Sequence, residues 1–146
     1  MKVQGEDKKA VTVKKPDDFP NGDFQLQGAF FEGVEDFGDA ELEKLKKLPH
    51  LDTLDLISTS VTDDGLAVLE KLPSIRTLAL SRTRISDAGL EHLTALPHLK
   101  VLLLYRTKVS DAGLEHLKKM TKLKTIELKR TEVSESGAKE LQEALP

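Results

Sequence analysis

His92 and His116 lie in two identical heptapeptides, Asp-Ala-Gly-Leu-Glu-His-Leu, 24 residues apart, and His50 and His98 share another column two periods apart. Imidazoles beside carboxylates are the raw material of a metal site, but an ion needs several donors converging within bonding distance. Residues one period apart on neighbouring helical turns are too distant for that, and these histidines read as a solvated face. Ser86, Asp87 and His92 hold the residue types of a nucleophilic triad. A nucleophile needs its base placed by geometry, which this spacing does not provide, and the Ser/Thr–acid pair recurs at Thr62–Asp63 and Ser134–Glu135 without any histidine. Gly28-Ala-Phe-Phe-Glu-Gly33 has the glycine spacing of a phosphate loop, yet Val34 and Glu35 stand where Lys and Ser or Thr would be needed. Glycine in a divergent strand or bulge is the better reading. The chain has no cysteine, which removes disulfides, thiolate nucleophiles and cysteine zinc sites together. No catalytic residue, metal ligand or cofactor site is assigned, and the chain reads as a non-enzyme.

The residues that remain are charged, aromatic and regularly spaced, so the elements that carry them come next. From Leu51 to Pro146 a 24-residue unit is written four times, starting at Leu51, Ile75, Leu99 and Leu123. Within each unit the apolar period changes. Leu54 and Leu56, Leu78 and Leu80, Leu102 and Leu104, and Ile126 and Leu128 are two apart, which puts each pair on one face of a short strand. Leu66, Leu69 and Leu72, or Leu90, Leu93 and Leu96, then step by three along one side of a helix. Thr62, Ser86, Ser110 and Ser134, each before an acid, predict helix N-caps at the switch. Gly65, Gly89, Gly113 and Gly137 recur just inside the helices despite their low helix propensity, which implies close packing against the adjoining turn.

The motif L-x-x-L-x-L-x-x-T-x-V-[TS]-[DE]-x-G-[LA]-x-x-L resembles the leucine-rich-repeat family, over residues 39–146. Thr59, Thr83, Thr107 and Thr131 occupy the column where typical members carry Asn, or Cys in the F-box-associated subtype; a hydroxyl there can still bond backbone groups in the turn. The V-[TS]-D-x-G-L piece is similar to that subtype and to bacterial repeats. The resemblance implies an α/β fold, a right-handed solenoid with a parallel sheet on its concave side and helices on its convex side. It also implies a protein-binding module. A substrate-recognition fragment of a larger ubiquitin-ligase adaptor or bacterial effector is the alternative, and a nucleic-acid-binding solenoid a further one.

Ahead of the regular units, all five phenylalanines fall at Phe19, Phe24, Phe30, Phe31 and Phe37. A terminal repeat has no neighbour over its core and must supply a lid. Residues 24–50 therefore read as a divergent capping repeat, residues 51–146 as the four regular repeats, and residues 1–23 as a leader with a weak strand at Ala10–Val13. The last strand reads as an exposed edge whose Lys124, Glu127, Lys129 and Arg130 discourage edge-to-edge pairing.

Strands stacked at roughly 4.8 Å turn alignment columns into surface ladders. The eighth position gives Ser58, Arg82, Arg106 and Arg130, the tenth gives Ser60, Arg84, Lys108 and Glu132, and the second gives Asp52, Arg76, Lys100 and Lys124. Across the strand and following-turn columns nine basic residues face four acidic ones, whereas residues 51–146 as a whole carry equal numbers, so the strand side is basic and the helix side acidic. Such a field suits an acidic protein or peptide. The third unit adds Val101, Leu103 and Tyr105 at outward positions, beside Arg82, Arg106 and Arg130. Those six residues form the predicted partner-binding site, an apolar centre with an arginine surround. A net charge of −3, one Tyr and no Trp argue against nucleic acid. No apolar run nears the roughly 18 residues of a membrane span, and Met1–Ala10 lacks the apolar core of a signal peptide, which favours the cytoplasm slightly. The smallness of the array leaves a homodimer or a longer parent protein open.

Overall fold

The computed structural model describes residues 2–5, 10–12 and 26–145. Among these residues seven strands form one sheet in the order β2-β1-β3-β4-β5-β6-β7. β1 (Lys2–Gly5) and β2 (Ala10–Thr12) pair with each other, and β1 pairs with β3 (Leu26–Phe30), all antiparallel. From β3 onward the pairing is parallel through β4 (Thr53–Asp55), β5 (Thr77–Ala79), β6 (Val101–Leu103) and β7 (Thr125–Glu127). A helical segment follows each parallel strand: α1 (Asp39–Glu43) with a 3-10 turn at Lys44–Lys47, a 3-10 helix at Asp64–Lys71, α2 (Asp87–Leu93), α3 (Asp111–Leu117) and α4 (Glu135–Ala144). This is an α/β solenoid, with sheet on one side and helices on the other.

The core follows the period switch. Leu54 and Leu56, Leu78 and Leu80, and Leu102 and Leu104 are fully buried and meet Leu66, Leu69, Leu90 and Leu93 from the helices. Ile126, on the last strand, and Leu128, just past it, are only partly covered. The helix after β4 is 3-10 throughout, and where Thr62 was expected as its cap it begins one residue later, after Asp63. Its leucine step of three matches the 3.0 residues per turn of that helix. Between β3 and β4 the register is 25 residues, Ala29 opposite Leu54, whereas later strands keep 24. The first unit thus carries one residue more between strand and helix than the others, since Asp39 still stands 24 before Asp63.

At the N-terminal end, Phe31 and Phe37 are buried with ring centroids 3.8 Å apart. The expected strand at Ala10–Val13 is present over Ala10–Thr12, and Val13, Phe19 and Phe24 lie outside the described residues. β1 was not anticipated. Gly28 lies in β3, where a Cβ would come within 2.8 Å of the Phe30 ring, so the Gly28–Gly33 pair belongs to a strand and its turn.

Ser86, Ser110 and Ser134 stand at the expected helix N-caps, and the Ser/Thr–acid pairs also join the repeats. Asp63 accepts the Ser86 backbone N–H at 2.8 Å and the Ser86 hydroxyl at 2.5 Å, across one repeat boundary. Asp39 holds Thr62, Asp87 holds Ser110 and Asp111 holds Ser134 in the same two-pronged way, at 2.6–2.8 Å. The recurrent glycines make room for these rungs: a Cβ on Gly89 would lie 2.4 Å from an oxygen of Asp63, and one on Gly113 would lie 2.4 Å from an oxygen of Asp87. The hydroxyls are therefore spent mainly on the preceding repeat. Ser86 makes no cap hydrogen bond, while Ser110 and Ser134 also accept from Ala112 and Gly137.

Candidate functional site

Each strand ends in the same turn, which decides where the charged columns point. The residue at the eighth position adopts a left-handed backbone: Ser58 at φ 56°, Arg82 at 59°, Arg106 at 57° and Arg130 at 58°, with Gly33 at 71° in the first unit. Ser58, Arg82 and Arg106, like Gly33, hold this conformation by donating to the seventh residue of the next unit, as in Arg82 N–H to Tyr105 C=O at 2.8 Å. The following threonine closes the turn. Thr59, Thr83, Thr107 and Thr131 donate their hydroxyls to the carbonyls of Leu56, Leu80, Leu104 and Leu128 at 2.6–2.8 Å, the role anticipated for this column.

Beyond the turn the chain meets a second, narrow parallel contact, with Ser86 bridged to Lys108 and Ser110 to Glu132. The tenth-position residues Arg84, Lys108 and Glu132 therefore sit past the turn and not on the strand face. The left-handed residue two positions earlier turns the chain away, so only the second to eighth positions share the concave side.

On that side, Val101 opens β6 between Thr77 and Thr125, and Leu103 lies between Ala79 and Glu127. Tyr105 follows, its backbone N–H bonded to the Ser81 hydroxyl at 3.2 Å. All three are half-buried, so the apolar centre is a shallow floor and not a projecting knob. Its neighbours one unit earlier are small and buried, Ala79 at the end of β5 and Ser81 just beyond it. Arg82, Arg106 and Arg130 are exposed in one column beside it. The Arg130 guanidinium stands 5.9 Å from the centroid of the Tyr105 ring, a cation–π contact that ties column to floor. The six predicted residues are thus brought together on three adjacent units.

The field on this face is uneven along the solenoid. Its first two units present Glu32, Asp52 and Asp55 and no base, whereas the next three present Arg76, Lys100, Lys124 and Lys129 in addition to the arginine column, with Glu127 as their one acid. Burial pushes the Asp55 carboxyl above its ordinary range; the Ile57 N–H, which donates to it at 3.0 Å, opposes the shift, and the nearby Glu32 charge adds to it. None of the basic residues on this face forms an ion pair with a described residue; the pairs present, such as Lys118 with Glu115 and Lys139 with Glu143, lie on the helices. Among the described residues no group of three His, Cys, Asp or Glu side chains is placed to hold a metal ion, and no helix is long and apolar enough to cross a membrane. His92 and His116 remain on separate helical turns.

A family model described as a leucine-rich repeat matches residues 71–93. No curated protein matches the chain in sequence. Solved structures resemble it more widely. The actin-binding site 2 of leiomodin-1 superposes with a TM-score of 0.65 at 14% identity, over 82% of this chain and 78% of that one. Internalin C2 from Listeria monocytogenes gives 0.54 at 20% identity over 88% and 59%, and a second internalin from the same organism gives 0.52 at 16% over 82% and 39%. This chain spans less than two thirds of either internalin. At such identities the likeness is one of fold.

Proposed function

Because this chain matches a leucine-rich-repeat model at residues 71–93 and folds as a solenoid of that kind, we propose that it is a protein-binding module whose partner lies on the strand face. The observation that carries this reading is the half-buried floor of Val101, Leu103 and Tyr105 beside the exposed column Arg82, Arg106 and Arg130. Aromatic and arginine side chains around a partly desolvated apolar centre are the composition of an interface hot spot. Leiomodin-1's actin-binding site is a precedent for this fold as a protein-binding scaffold. In this reading residues 24–50 serve as the capping repeat, residues 51–146 as the binding array and residues 1–23 as a leader.

The test compares capture of proteins by the wild-type chain, by a Tyr105→Ala, Arg106→Glu double variant, and by a helix-side control, Glu91→Lys. A partner held by wild type and control but lost by the double variant is expected. Equal capture by all three would remove the strand face from consideration, and nucleic acid captured only at low salt would replace the partner class.

A further inference from the structure

The arginine column is built at a cost that the fold does not need. A residue with a Cβ is strained in the left-handed region, which glycine occupies freely and Asn or Asp with least difficulty. The first unit uses Gly33 there and the second the small Ser58 at φ 56°, yet three successive units use the long, charged Arg82, Arg106 and Arg130 at φ 57–59°. Among the described residues these charges have one partner, the Tyr105 ring beside Arg130. Arg82 and Arg106 form no ion pair or side-chain hydrogen bond with described residues, and Arg130 touches only the Tyr105 ring. Strand spacing of roughly 4.8 Å also sets these like charges side by side, where they repel. Strain and repulsion held together by over-determining backbone bonds point to a group kept for what it binds.

Resting on the strand-face reading above, we infer that the partner engages this face through an acidic polypeptide segment, its carboxylates over Arg82, Arg106 and Arg130 and its acidic run ending before β4. The end point comes from Glu32, Asp52 and Asp55, which make the first two units repel an anion. A uniform polyanion such as a nucleic-acid backbone would meet both poles of this face; a segment with acids at one end and neutral or basic residues at the other meets only matching charge. The Val101, Leu103 and Tyr105 floor requires apolar side chains between the acids, and the Tyr105 ring already carries Arg130 in place of a stacked base. Carboxylates receive the guanidinium fork in two parallel bonds, which gives the column geometric as well as electrostatic selectivity.

The probe is a fluorescent peptide of sequence Glu-Leu-Glu-Leu-Glu-Gly-Lys-Lys, titrated with the full chain by anisotropy, alongside its charge-inverted analogue and an equally labelled oligothymidylate. Tighter binding of the acidic peptide than of either control is expected. An Arg82→Gly, Arg106→Gly double variant should weaken it about tenfold or more while melting at the wild-type temperature or above it, because glycine relieves the backbone. No preference for the acidic peptide, or preference for the oligonucleotide, overturns the inference. So does a glycine variant that melts lower, which would make the arginines structural. A captured protein that depends on Tyr105 but ignores the glycine substitutions overturns the acidic segment and leaves the strand-face reading standing; independence from Tyr105 sinks that reading itself.

Discussion

Gly89 shows how a single hydrogen in place of a methyl governs this molecule. In an ordinary exposed helix interior, Gly→Ala gains about 1 kcal/mol of propensity. Here the new Cβ would sit 2.4 Å from the Asp63 carboxylate and 3.0 Å from Ile85, displacing the two hydrogen bonds that tie Ser86 to the previous unit. Gly89→Ala is expected to destabilise by about 1–3 kcal/mol, read as a lower urea midpoint with an unchanged slope. A gain in stability would show that the rung contributes nothing. Asp55 should behave in the opposite sense. Its pKa in the fold is raised above the ordinary 3.8, so the ionised form is penalised by folding. That penalty is full above the folded value and vanishes below the unfolded one. Asp55→Asn, which keeps an oxygen for Ile57 N–H, should stabilise at neutral pH and leave stability unchanged near pH 3. At Asp111 the sign reverses. The Ser134 hydroxyl and N–H lower its pKa, so that its contribution is present above 3.8 and disappears as acid protonates it. At this scale the sequence was partly legible. The helix glycines signalled a close approach, but a Ser or Thr before an acid spells a cap and an inter-repeat rung identically, and nothing in Arg82, Arg106 or Arg130 betrays a left-handed backbone.

The strands and helices were readable because side-chain periodicity changes from two to three inside every unit, and burial enforces that change at Leu54, Leu56, Leu66 and Leu69. Boundaries were less readable where local geometry competes. The segment Asp64–Lys71 satisfies the same leucine step with a tighter helix, and β1, four residues without an apolar alternation, is defined by its pairing with β2 and β3. Elements should also differ in their hold on the core. β5 and β6 are paired on both sides and their central leucines are fully buried, whereas β7 is paired on one side only and Ile126 and Leu128 are partly open. Amide exchange under native conditions should be slowest in β5 and β6 and faster in β7 and α4. Uniform protection across all five parallel strands would contradict this gradient.

The whole molecule has a direction. Acids occupy the concave side of its first two units and bases, Glu127 excepted, that of its last three, around a floor centred on the third regular unit. The placement of Val101, Leu103, Tyr105 and the arginine column followed from alignment columns, because parallel pairing at constant register converts sequence position into location on a surface. The tenth column escaped that conversion because a left-handed residue intervenes, and the one-residue excess in the first unit was hidden because its strand has diverged.

The rungs between units also make the solenoid commensurate: every joint is the same lock, and the key fits any joint downstream. Excising residues 75–98 would bring Asp63 opposite Ser110 and Gly113 into the clearance that Gly89 now supplies, without a phase slip in sheet or helices. Such a shortened chain is expected to keep its cooperative melt at a lower midpoint, whereas removing one residue fewer would misalign every lock beyond the cut. Calorimetry of the two deletions separates a lattice from a mere stack.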